Sequence, residues 1–563
     1  MTDFNPINPL IVQGDHTILV EVQSPRYEAA RNELVRFAEL VKSPEHIHTY
    51  RITPLSIWNA RAAGIPATDI IDALCEYSKY PVPEHVLVEI NDFASRFGRM
   101  KLRRDGKRLL LAADSELLAE EIVHTPDIKD LLVERISKTE FHIKAAHRGK
   151  IKQALIKAGF PAEDLAGYVK GERVNFAVRP ATLSGALFSF RPYQQQAADA
   201  FYAKGAAQGG AGVIVLPCGA GKTIVGISCM AQLQTSTLIL TTNVTAIRQW
   251  KQELMDKTTL SEDDIGEYSG NTKEICQVTI ATYQIMTYRP NKEGDFPHLT
   301  LFDDRNWGLI IYDEVHMLPA PVFQVTAGLQ ARRRLGLTAT LVREDGKEED
   351  VFALIGPKKV DVPWKEMERQ GWIAKARCCE IRIPLPEELR MDYAVANKRR
   401  KFRISSENPA KQDLVRKIMA RHKGKQILLI GMYIDQLKEA AKGLGLPLIT
   451  GSTSQKKRDS LYEDFKEGKI TALAVSKVAN FAVDLPDAAV AIQISGTFGS
   501  RQEEAQRLGR ILRPKPGENQ AHFYSLVTRD TVEQDFALKR QLFLCEQGYE
   551  YAIRSGGSFN GTF

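Results

Sequence analysis

The sequence predicts an α/β protein built from two parallel-sheet domains in tandem, preceded by small α+β modules. From about residue 183 the chain is punctuated by short, β-branched, nearly uninterrupted apolar runs: GVIVLPC, TLILTT, VTIATY, GLIIYDE and RRLGLTAT. Helix-like stretches separate them. After a pause around 360–420 the same rhythm resumes with QILLIGMY, PLITGS, ALAVSK, AVAIQIS and HFYSLV. Strands covered on both faces read as continuous apolar runs, and their alternation with helices specifies a parallel sheet.

Four segments follow in order. Residues 1–107 mix runs read as β-rich, HTILVEVQ and HVLVEI, with a helix-like YEAARNELVRFAELV. Residues 108–182 open on RLLLAADS, continue through a helical SELLAEEIVHT and end near Pro161 and Gly171, as a second small α+β module. Residues 183–375 and 376–563 are the two parallel-sheet domains, the second with an insertion near 385–412. At 563 residues the chain is too long for a single core, and roughly 100–200 residues per domain gives three or four domains. Neither N-terminal module carries a motif with a chemical mechanism.

A net charge of +7 permits a nucleic-acid partner without requiring one. Apolar runs stay well short of the roughly 18 residues of a membrane span, and the N-terminus lacks a basic, apolar leader. A cytoplasmic protein with no membrane partner is expected. The seven cysteines are scattered, without metal-clamp spacing, and are read as free thiols.

The chemistry lies in the loops. After the strand GVIV come Leu216, Pro217, Cys218, Gly219, Ala220, Gly221, Lys222 and Thr223, and then a helix. A G-x-G-K-T core between strand and helix is the setting of a phosphate-binding loop. The glycines let backbone N–H groups turn onto phosphate oxygens, Lys222 adds a cation, and Thr223 offers a hydroxyl to Mg2+. Leu216 stands where the generic motif has its first glycine. The strand GLIIY ends in Asp313 and Glu314. Asp313 suits Mg2+ and Glu314 suits activation of an attacking water. Upstream, Arg191 and Gln194 in FRPYQQQ are candidate nucleotide contacts, the Gln194 amide being able to pair with an adenine edge. In the second domain GSRQEEAQRLGRILRPK places Gln506, Arg510 and Arg513 on one helix face, where guanidinium groups arriving from another domain can stabilise a transferring phosphoryl group.

GAGKT, DEVH, LTATLVRED, VSKVANFAVDLPDA and QRLGRILRPK, in that order, resemble superfamily 2 helicases, and the close match is to the XPB helicases in their compact bacterial form. The resemblance spans the chain. It implies two RecA-like domains, use of ATP and Mg2+, and 3′→5′ action on duplex DNA with a single-stranded junction, in nucleotide-excision repair. It implies that Thr338 and Thr340 couple hydrolysis to strand separation. Arg343, Glu344 and Asp345 match the family's element at the duplex junction, and the insertion with Lys398, Arg399, Arg400, Lys401 and Phe402 matches a thumb-like part. There basic residues would neutralise phosphates while the Phe402 ring stacks on a base. Residues 108–182 occupy the place of a damage-recognition domain. A repair nuclease is an implied partner, and a monomer is the default. The alternatives are a double-strand translocase or ATP-driven switch that melts DNA locally, a non-catalytic damage binder, and an RNA helicase.

Overall fold

The computed structural model describes residues 4–42, 46–106, 108–206, 209–217, 219–291, 296–330, 332–339, 348–362, 364–476, 488–497, 504, 507–509, 511–512, 519–546, 549 and 551–558. In the first module, strands Leu10–Val12, Thr17–Glu21, Ile47–Arg51 and Glu39–Lys42 pair antiparallel in that spatial order. Alternation along Thr17–Glu21 turns Ile18 and Val20 inward, both fully buried. YEAARNELVRFAELV divides: Tyr27–Leu34 is helical, and Glu39–Lys42 is a strand. HVLVEI is not a strand. It lies within the helix Glu84–Arg96, which buries Val86, Ile90 and Ala94. The four-residue spacing of those positions outweighs the strand propensity of the valines.

The second module is a five-stranded sheet in the order Leu132–Arg135, Glu140–Ile143, Arg108–Ala113, Met100–Asp105, Ala162–Asp164. Met100–Asp105 pairs with Arg108–Ala113 in a register that sets Asp105 opposite Arg108. The boundary expected at 107/108 therefore falls between two paired strands, and the second sheet begins at Met100. Leu102 and Leu111 lie opposite one another in its core, a pairing that no local composition change marks.

This module is docked on the first parallel-sheet domain. Its helix Arg148–Lys157 packs on helices Ala320–Gly328 and Glu348–Leu354. A Cβ on Gly149 would lie 2.4 Å from the carbonyl oxygen of Ala327, so glycine sets how closely the elements approach. Lys152 donates to Gln330 Oε1 at 2.8 Å, and Arg148 pairs with Asp164 at 2.7 Å. The first module touches both lobes. Asn59 Oδ1 accepts from the backbone N–H of Lys358 at 3.0 Å. Glu28 pairs with Arg369, and the helix Val532–Glu546 packs on strand Glu39–Lys42, Cys545 joining that module's core.

Each lobe holds a seven-stranded sheet with every pairing parallel. The first runs Ile265–Tyr268, Val278–Thr282, Thr237–Thr241, Leu309–Asp313, Arg333–Thr338, Ala211–Val215, Lys358–Asp361. Every residue of Ala211–Val215 and Thr237–Thr241 is buried, as a sheet covered on both faces demands. The second runs Leu448–Ile449, Ala472–Val475, Ile427–Ile430, Val490–Gln493, Gln520–Thr528, Lys375–Ile383, Tyr551–Ser555. Between its first two strands in chain order lie the helices Glu387–Val395, Lys398–Ser406 and Lys411–Arg421.

Phe402 corrects an expectation. Its ring is fully buried, 5.0 Å from the Phe536 ring in edge-on contact, with Tyr433 beside it. A ring enclosed there has no face free to stack on a base. The periodicity of its helix turns Phe402 inward while Lys398, Arg399 and Arg400 face solvent.

Candidate active site

Three strands of the first lobe end side by side. Arg333–Thr338 lies between Leu309–Asp313 and Ala211–Val215, with Asp313 opposite Leu337 and Val215 opposite Thr338. Their carboxyl ends are where a parallel sheet presents its loops to a ligand.

The loop leaving Val215 is shaped for close approach. Leu216 and Pro217 are buried and Gly219 is exposed. The backbone N–H of Leu216 donates to Thr338 O at 3.0 Å. Gly219 and Gly221 both take φ 83°, in the left-handed region where glycine is at home. Gly221 caps the helix Lys222–Leu233, and the first N–H groups of a helix, which lack intrahelical partners, suit an anion. The helix Pro192–Tyr202 braces the loop from below. Tyr193 OH and Gln194 Nε2 both donate to Ala220 O, at 2.6 and 3.1 Å. Gln194 Oε1 accepts from the Arg191 N–H at 3.0 Å. Both ends of that buried amide are spent on the protein, so Gln194 shapes the loop in this structure instead of reading a base edge. A Cβ on Gly221 would meet Gln194 Nε2 at 2.6 Å.

Facing the loop, Lys222 Nζ lies 3.1 Å from Glu314 Oε1. Glu314 takes φ 51°, a conformation costing a non-glycine residue roughly 1–2 kcal/mol and of a kind that gathers at functional sites. Asp313 is held from two sides: Trp250 Nε1 donates to Oδ2 at 2.9 Å, and the Glu314 N–H donates to Oδ1 at 3.1 Å. Burial, and the Glu314 charge next to it, push the Asp313 carboxyl up to about 6, against the pull of Lys222 and Trp250. Tyr283 OH donates to the Asp313 carbonyl at 2.9 Å. His316 Nδ1 lies 2.7 Å from Thr338 Oγ1 and 3.5 Å from Glu314 Oε2. Thr338 thus touches both the phosphate-loop side, through its carbonyl, and the acidic side, through its hydroxyl.

The cradle and the acids fit a nucleotide triphosphate with a hard divalent cation. Backbone donors and Lys222 suit phosphate oxygens. The Asp313 carboxylate at one strand's end and the Thr223 hydroxyl at the start of the helix Lys222–Leu233 are hard oxygen donors, which suit Mg2+, an ion that keeps several waters. Among the described residues no cluster of three or more His, Cys, Asp or Glu could hold a metal by itself.

Trp250, Tyr283 and His316 were not singled out from the sequence. Trp250 is 63 residues from Asp313, on the helix Val244–Lys257, and nothing local marks it; His316 sits in the DEVH motif itself. Cys218, Thr340, Arg343, Glu344, Asp345, Gln506, Arg510 and Arg513 lie outside the described residues. Their neighbour Arg507 is buried and donates to Gln493 Oε1 within the second lobe. In the insertion, Lys398, Arg399 and Arg400 are exposed and Lys401 is partly covered. Arg403 is paired with Glu407 at 2.9 Å.

Among the described residues no helix is long and apolar enough to cross a membrane. Residues 367–557 match the ERCC3/RAD25/XPB C-terminal helicase family, and residues 187–343 match the res subunit of type III restriction enzymes. Residues 10–137 match a helicase conserved C-terminal domain. The chain is 52% identical over 562 residues to the DNA 3'-5' helicase XPB of Kineococcus radiotolerans, covering 100% of this chain and 98% of that one. It is also 52% identical over 562 residues to the DNA 3'-5' helicase XPB of Mycobacterium tuberculosis, with 100% of both chains covered. A 31% identity over 610 residues links it to the general transcription and DNA repair factor IIH helicase/translocase subunit XPB/SSL2 of Saccharomyces cerevisiae, covering 96% of this chain and 71% of that one.

Proposed function

The chain belongs to the XPB helicases, and on that premise we propose that ATP bound at the Gly219–Thr223 loop powers 3′→5′ unwinding of DNA. It is an ATP-hydrolysing DNA helicase. The observation that carries the site assignment is the Lys222–Glu314 pair at 3.1 Å, closed across the end of a parallel sheet beside the partly buried Asp313.

In this reading the loop's N–H groups and Lys222 bind the β- and γ-phosphates. Lys222 exchanges its contact with Glu314 for one with phosphate, which frees Glu314 to accept a proton from the attacking water. The water oxygen bonds to the γ-phosphorus as the bond to the bridging oxygen breaks, leaving ADP and phosphate. Thr223 and Asp313 would hold Mg2+, which when bound neutralises phosphate charge. Gln506, Arg510 and Arg513 from the second lobe complete the charge stabilisation. The His316–Thr338 contact passes the state of Glu314 to the strand that leads to Thr340 and to Arg343, Glu344 and Asp345, where strands would separate. Lys398, Arg399, Arg400 and Lys401 grip phosphates. The four-segment organisation, with the second sheet beginning at Met100, a cytoplasmic monomer and a role in excision repair with a nuclease partner belong to the same reading.

The test is the ATPase rate with no nucleic acid, single-stranded DNA, duplex DNA and RNA, for the wild type and Lys222→Ala. Stimulation by DNA, abolished in the variant while DNA binding persists, is expected. Turnover of Lys222→Ala near wild type refutes the site. A second reading, a translocase that melts DNA locally, is supported by the word translocase in the yeast relative's name. It predicts DNA-stimulated ATPase with no strand displaced from a 3′-tailed duplex.

A further inference from the structure

The first module, the second module and the first lobe together border a cavity of about 180 Å3. Arg61 reaches it from the helix Pro54–Ala62, Lys152 from the helix Arg148–Lys157, and Lys359 from the strand Lys358–Asp361. We propose that this cavity binds a small organic phosphate, with Arg61, Lys152 and Lys359 holding its charge and the apolar walls Phe97, Ile156 and Phe352 holding its body. The site is separate from the phosphate loop. Ala211, at the start of the strand Ala211–Val215, lines the cavity, whereas the loop leaves that strand's far end. Five residues at roughly 3.3 Å each hold the two about 16 Å apart.

The charges around the cavity do not balance. Arg148, Lys152 and Arg334, which are 2, 7 and 0% exposed, share the carboxylate of Asp164. Arg148 takes both Asp164 oxygens, at 2.7 and 3.0 Å, and Lys152 has a longer contact of 3.4 Å. Arg334 donates to the backbone carbonyls of Leu354 and Gln330 at 2.7 and 2.9 Å, and to that of Arg332; these acceptors are neutral. The Tyr168 ring, in the cavity wall, has the Arg148, Arg333 and Arg334 guanidiniums 5.5, 5.8 and 5.7 Å from its centre. Glu163 also lines the wall, where it acts on Lys359 and lies 3.9 Å from Lys101. Buried positive charge without full compensation is costly. Burial pushes Lys152 down to about 7 and lowers Lys359 as well. An anion seated among them relieves that cost.

Arg61 has donors to offer. Its Nη1 donates to Ile65 O at 3.3 Å, while its Nε is buried with no hydrogen-bond partner among the described residues. A guanidinium presents a planar fork that matches phosphate oxygens, and a lysine adds a point charge. At roughly 10–15 Å3 for each water-sized group, the cavity has room for about a dozen heavy atoms, enough for a phosphate with one ring-sized substituent. The three cations come from three separate parts of the chain, so an occupant ties those parts together. A ligand that binds only the docked arrangement stabilises it.

The experiment titrates phenyl phosphate and inorganic phosphate into the full chain by calorimetry, with the nucleotide site filled by Mg2+ and a non-hydrolysable ATP analogue. The variants are Arg61→Gln, Lys359→Gln and, on an exposed helix face of the second lobe, Lys457→Gln. Phenyl phosphate binds at a single site, more tightly than inorganic phosphate because its ring meets the apolar wall. Loss of one charge-assisted hydrogen bond weakens affinity about tenfold, so Arg61→Gln and Lys359→Gln each lose about tenfold while Lys457→Gln matches the wild type. Hydrogen exchange slows in the helix Arg148–Lys157 and across residues 356–359 when phenyl phosphate binds. Should Lys359→Gln fail to fold, Arg61→Gln decides, since Arg61 is only partly buried. No binding with the analogue in place, equal affinity in all four proteins, an equal loss in Lys457→Gln, inorganic phosphate bound as tightly as phenyl phosphate, or slowed exchange confined to the phosphate loop would each overturn the proposal.

Discussion

Replacing Trp250 by Phe removes the indole N–H that donates to Asp313 Oδ2 at 2.9 Å. A hydrogen bond to an ionised acceptor is worth about 1.5–3 kcal/mol, and one pH unit corresponds to about 1.36 kcal/mol. The substitution therefore moves the Asp313 titration upward by about one to two pH units. The sign follows from the group's position. Burial and Glu314 already hold this carboxyl at about 6, so it is neutral at lower pH and a poor partner for a cation. Wild-type activity at subsaturating Mg2+ falls as the pH drops through about 6. In Trp250→Phe the same fall is centred about one to two units higher, so activity lost at neutral pH returns in alkaline buffer. Trp250 also packs against Gly226, where a Cβ would meet its ring at 2.5 Å, so the variant is less stable. That lowers the amplitude of the profile without moving its limb. The assay is kcat/KM for ATP from about pH 5 to about pH 9, with Tyr283→Phe as control, since its hydroxyl donates to the Asp313 backbone carbonyl. An acidic limb at the wild-type pH in Trp250→Phe refutes the assignment of Asp313 as the titrating group.

Phe402→Ala lowers stability by about 3–5 kcal/mol in chemical denaturation, because it empties a buried aromatic cluster; an unchanged midpoint with weakened DNA binding would restore the stacking role. Arg399→Ala and Arg400→Ala each weaken DNA binding evenly across sequences and reduce the slope of log affinity against log salt by about 1. A slope equal to wild type would remove that helix from the DNA path.

Much of the candidate site was legible because its signals are local. A glycine-rich turn between a buried strand and a helix needs only a few consecutive residues, and so does a pair of acids at a strand's carboxyl end; Gly219, Gly221, Lys222, Asp313 and Glu314 were readable for that reason. The insertion's charges were readable too, but the fate of Phe402 depended on the packing of Phe536, 134 positions along. HVLVEI went astray because six residues carry β-branched propensity more plainly than a helical period.

By itself the sequence determined the continuous apolar strands, the phosphate-type loop and the acidic strand end, since each follows from backbone geometry and solvation over a few neighbouring residues. Only the tertiary structure decided that Trp250 holds Asp313, that His316 ties Glu314 to Thr338, and that Gly149 lets the second module seat on Ala327. The structure alone also gathered Arg61, Lys152 and Lys359 at one cavity. Those contacts join residues distant along the chain, and their distances emerge only when the sheets stack their strands out of sequence order.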